Sequence, residues 1–102
     1  MLPTPRSTSE EVEQEAARVV SRLGVLSPTK VPVDLVSAAS QRLADLARAA
    51  EGLPPLPVPE LRPHGWASLL RVLVTDLRAS PATDDQLTTA RDELVALRRA
   101  LP

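Results

Sequence analysis

The chain contains no cysteine, no phenylalanine and no tyrosine, and Trp66 is its one aromatic residue. Without cysteine there are no disulfides, no thiolate zinc sites and no cysteine nucleophile. Isoleucine and asparagine are also missing, and Lys30 stands alone against 11 arginines. The missing residue types share A/T-rich codons. A GC-rich genome of bacterial type is therefore a simpler account than arginine-specific chemistry. The physical consequence is a core that must be built from Leu, Val and Ala around Trp66.

Glycine occurs only 3 times, at widely separated positions, so no phosphate-cradling loop exists. His64 is the only histidine, and no Glu-x-x-His pair marks a di-metal bundle. No catalytic constellation emerges, and the expectation is a non-enzyme without metal or cofactor. Lys and Arg total 12 against 13 acidic residues, with no block of either sign. Such a balance predicts no nucleic-acid partner and no anionic membrane partner. No apolar run reaches the length of a membrane span, and Met1-Leu-Pro-Thr-Pro-Arg6 lacks a signal-peptide core. The cytoplasm is the default expectation.

The periodicity predicts an all-α, four-helix bundle forming one domain over residues 9–102. A flexible arm over residues 1–8 precedes it. The first helix is expected at 9–23. Thr8-Ser-Glu-Glu11 resembles a capping box, Val12, Ala16, Val19, Val20 and Leu23 recur at helical spacing, and Gly24 suits the residue after a helix end. Ser27-Pro28 suits a short turn. The second helix is expected at 32–51, with an apolar seam through Val36, Ala39, Leu43, Leu46, Ala50 and Leu53, and with Gly52 as its stop. The third is expected at 64–79, with a broad face of Trp66, Leu69, Leu70, Leu73, Val74 and Leu77. The fourth is expected at 83–101. It opens on the capping box Thr83-Asp-Asp-Gln86 and carries the seam Leu87, Ala90, Leu94, Leu97, Leu101. The short Ser80-Pro81-Ala82 link predicts that the third and fourth helices are antiparallel neighbours.

Between the second and third helices, residues 53–63 hold five prolines and admit neither helix nor central strand. Polyproline II geometry follows. At ~3.1 Å per residue the segment reaches about 34 Å, more than the ~30 Å of a 20-residue helix. This strap can traverse the bundle and let the third helix run parallel to the second. Pro54-x-x-Pro57 matches a polyproline ligand pattern. The favoured reading is that Leu53, Leu56, Val58 and Leu61 turn inward as a lid. Trp66 is read as a core plug with its indole N–H on a backbone carbonyl.

The function expected from these features is a protein–protein interaction or assembly module, homodimeric, with Leu56, Val58, Leu61, His64, Trp66 and Val72 as its candidate interaction residues. Val72, the alanine-rich edge of the second helix and the leucine seam of the fourth are the expected self-association surfaces. The alternative is an apolar small-molecule site formed by the strap, Trp66 and His64. A less favoured alternative is a DNA-binding regulator using Arg91, Arg98 and Arg99.

Overall fold

A computed structural model describes residues 6–102. Four α-helices form it: α1 (Thr8–Val25), α2 (Val33–Ala50), α3 (Trp66–Ala79) and α4 (Asp84–Ala100). Single 3-10 turns at Pro28–Lys30 and Pro63–Gly65 precede α2 and α3. No strand occurs among the described residues. The expected arm falls at 1–5 outside the described residues, and at its other end it is shorter than expected, because Thr8 is already helical. Ser7, not Thr8, caps α1: its hydroxyl accepts from the Glu10 N–H at 3.2 Å.

Each helix buries the seam its sequence announces, except that Leu53, expected to continue the seam of α2, lies beyond that helix and is 47% exposed. Val12, Ala16, Val19, Val20 and Leu23 of α1 meet Val36, Ala39 and Leu43 of α2, Trp66, Leu70, Val74 and Leu77 of α3, and Ala90, Leu94 and Leu97 of α4 in one cluster. The leucine seam of α4 is thus consumed by the monomer core and is not the self-association surface expected of it. One residue per turn or more faces inward on every helix, which is what a ~100° apolar stripe supplies.

α1 packs on α4 and α3, and α2 packs on α3 and α4. Ion pairs fix the directions. Glu11 meets Arg91 at 2.6 Å and Glu15 meets Arg98 at 2.9 Å, so α1 and α4 run parallel. Glu13 meets Arg78 at 2.6 Å, near the start of α1 and the end of α3, so these run antiparallel. Exposed ion pairs are worth about 0.2–1 kcal/mol each, and these, part-buried at Glu15, set register more than stability. Hydrogen bonds that Arg91 donates to the Glu11 and Asp92 carboxylates hold its guanidinium charged and raise its pKa above the ordinary arginine value.

The ends of α2 and α3 lie together, since Arg48, Glu51, Asp76 and Ala79 line one surface cleft. These two helices therefore run parallel, as the length of the strap allows. α3 and α4 are antiparallel, but they lie across a diagonal and are not neighbours. The linker Ser80–Thr83 explains the difference. From Ala79 to Asp84 it reaches up to ~17 Å, which exceeds the ~13 Å diagonal of a square of helices with ~9 Å sides.

The helix ends separate two glycines. Gly52 has φ +71°. The Leu53 N–H donates to the Arg48 carbonyl at 2.9 Å and the Gly52 N–H to the Ala49 carbonyl at 3.0 Å, the two bonds of a Schellman cap. Gly24, expected to end α1 in the same way, lies inside the helix, which continues to Val25. No atom lies within 4 Å of a Cβ added at either position, so backbone conformation alone decides the effect of a substitution. Gly52→Ala should cost about 1–2 kcal/mol in urea denaturation, whereas Gly24→Ala should stabilise by up to about 1 kcal/mol. Equal signs for the two would contradict this assignment.

Candidate functional site

The strap is built from what proline removes. Within residues 53–59 only Leu53, Leu56 and Val58 carry a backbone N–H. The strap cannot pair as a strand, so α2 holds it with side chains. Gln41 clamps it with both ends of its amide. Nε2 donates to the Leu56 carbonyl at 2.9 Å, and Oε1 accepts from the Val58 N–H at 2.8 Å. Asp45 steadies that amide by accepting from Nε2 at 2.8 Å. One helical stretch further on, Arg48 Nε donates to the Pro54 carbonyl at 2.8 Å. The strap thus runs back along α2. From Gln41 to Arg48 the helix rises ~10 Å, and from Pro54 to Pro57, the residue between the two groups that Gln41 holds, an extended strap advances ~9 Å. The two spacings match. Arg62 at the far end has φ −66° and ψ 155°, close to polyproline II.

The four strap hydrophobics divide. Val58 and Leu61 are half-buried against the core, whereas Leu53 and Leu56 are 47% and 55% exposed. The expectation that all four turn inward is therefore corrected. The reason is the threefold period of polyproline II. Val58 and Leu61 share one ridge with Pro55, which is still exposed where the strap begins, Leu53 and Leu56 share a second, and Pro54 and Pro57 the third. A strap pressed on a bundle buries one ridge only. The close fit at its end is visible at Gly65, where an added Cβ would stand 3.3 Å from the Leu61 Cβ.

Trp66 is 1% exposed and plugs the core at the start of α3. Its indole N–H has no hydrogen-bond partner, contrary to the expected bond to a carbonyl. The turn Pro63–Gly65 delivers the ring into the Leu and Val interior, where neighbouring helices keep their carbonyls for their own ladders. His64 is exposed on that turn. It borders a cavity of about 160 Å³ with Leu23, Leu26, Pro28, Val31 and Ala67. Trp66 does not line it, and ligand pockets are commonly ~300–1,000 Å³. The strap leucines, Trp66 and His64 therefore do not share this cavity. Val72 is 55% exposed on the outer side of α3.

Sequence reasoning did not single out Gln41 and Arg48. The signal was the donor-poor strap, which needs long polar side chains from a neighbouring helix. It also overlooked Leu35, exposed at the start of α2 beside Ala96 and Ala100 of α4. Of the three arginines considered for DNA, Arg91 and Arg98 are engaged by α1 carboxylates. No group of three or more metal-ligating side chains occurs among the described residues. No described helix is long and apolar enough to cross a membrane. No protein-family model, no curated protein and no solved structure matches the chain.

Proposed function

We propose that the chain is a protein–protein interaction module whose docking surface is the outer edge of the strap. The observation that carries this is the exposure of Leu53 and Leu56 on a backbone pinned by Gln41 and Arg48. An ordinary exposed loop leaves its leucines free to collapse onto the surface. Here the clamps hold them outward, and apolar groups held in water gain from a partner. Ordering the strap is accomplished by folding, so docking does not repeat that entropic cost.

The test is a photo-crosslinking residue at position 56, with position 21 on the exposed side of α1 as control. Once the adduct is identified by mass spectrometry, the purified partner should bind the native chain and fail to bind Leu56→Asp. Equal labelling at both positions, or undiminished binding to Leu56→Asp, would remove the proposal.

Self-association is a second reading, favoured by the face between α2 and α4. Leu35, Ala49, Ala96 and Ala100 border it, and the Arg42–Glu93 pair at 2.6 Å crosses it. A twofold arrangement would let Arg42 of each copy meet Glu93 of the other. Light scattering would then give twice the 11.0 kDa chain mass, and Leu35→Asp would return the monomer.

A further inference from the structure

We infer that the strap is a pre-formed polyproline ligand, and that its partner is a domain with an aromatic-lined groove taking two successive apolar-residue–proline pairs. The inference rests on the strap-edge reading above and names the class of partner.

A polyproline II helix is a three-sided prism. Grooves that bind it read two of its edges, since the third must face away from the receptor. In a free peptide no edge is preferred. In this chain the fold has made the choice. The ridge of Val58 and Leu61 is pressed on the core. The two remaining ridges carry Leu53 and Leu56, and Pro54 and Pro57, all of them exposed. Side by side they read Leu53-Pro54 and Leu56-Pro57, two identical pairs one turn of the prism apart.

The clamps reinforce the same orientation. Pro54 and Leu56 spend their carbonyls on Arg48 and Gln41, on the side facing α2. No described protein group donates to the carbonyls of Pro55 and Pro57. They are available to the hydrogen-bond donors, such as Trp or Tyr, that line such grooves. At the C-terminal end of the outer ridges stands Arg62, exposed and without an ion pair among the described residues. A carboxylate at the corresponding end of the groove would meet it and set the direction of binding.

The pinned strap also accounts for a cost that free proline-rich peptides carry. Such peptides bind weakly in part because residues outside the proline rings must still be ordered. Here Leu56 and Val58 are already fixed by Gln41. Releasing the clamp should weaken binding without altering a single groove contact, an effect that a purely adventitious apolar patch would not show.

The experiment titrates the isotope-labelled full chain with isolated domains of the SH3, WW and EVH1 types, following backbone amides by NMR. The expected result is saturable shifts at Leu53, Leu56 and Glu60 with at least one domain type. Pro57→Ala, on an exposed edge, should weaken that binding at least about tenfold, the equivalent of ~1.4 kcal/mol. Arg62→Glu should weaken it as well, and Gln41→Ala should weaken it while Trp66 fluorescence reports an intact core. If no domain type shifts the strap amides, or if Pro57→Ala binds undiminished, the inference is overturned. A partner crosslinked at position 56 in the face of that result would leave the interaction module standing and assign its docking surface to a different partner class.

Discussion

Trp66→Ala should be the most damaging single substitution, costing about 3–5 kcal/mol in chemical denaturation followed by far-UV circular dichroism. The ring is the largest fully buried side chain and the chain has no other aromatic to close over the space. Since small domains rest on only about 5–15 kcal/mol, this loss takes a large part of the total. Trp66→Phe separates the two contributions of the residue. It gives up ring volume, which costs stability, but removes a buried N–H without a partner, which carries a penalty of about 1–3 kcal/mol. The two effects oppose, and Trp66→Phe should lie within about 1 kcal/mol of the native chain. A Phe variant as damaged as the Ala variant would show that the indole N–H is satisfied in solution.

Leu70→Ala should follow at about 2–5 kcal/mol, because Leu70 is fully enclosed between α3 and the rest of the core. Leu73 reads as its equal on the apolar face of α3, yet it is only half-buried at the edge of the cluster. Leu73→Ala should therefore cost visibly less than Leu70→Ala in the same urea titration. Equal losses would mean that α3 is rotated toward the strap relative to the arrangement described above.

The contrast between Leu70 and Leu73 marks how far periodicity carries. A helical pattern tells which stripe is apolar, and all five buried residues of α1 were legible that way. It does not tell which edge of a broad stripe meets a neighbour. The same limit applied to glycine. Gly52 and Gly24 look alike in sequence, each following the apolar seam of a helix. Only Gly52 takes positive φ, because the chain must leave α2 there and double back, whereas α1 has room to continue. The strap was legible as extended from its prolines alone. Which of its ridges would face water was not, since two of the three carry an aliphatic pair and only contact with the bundle selects between them.

By itself, the sequence determined the four helices, their buried stripes, the Thr83–Gln86 cap and the reach of the proline segment. These are local properties, set by 3.6-residue periodicity, capping hydrogen bonds and the fixed φ of proline. Tertiary structure alone decided that α3 and α4 sit across a diagonal. It also decided that the leucine seam of α4 is spent inside the monomer and that the indole of Trp66 lacks a partner. It decided as well that Gln41 and Arg48 pin the strap with Leu53 and Leu56 outward. Each of these depends on which surfaces meet across long separations in the chain, and no local pattern encodes that choice.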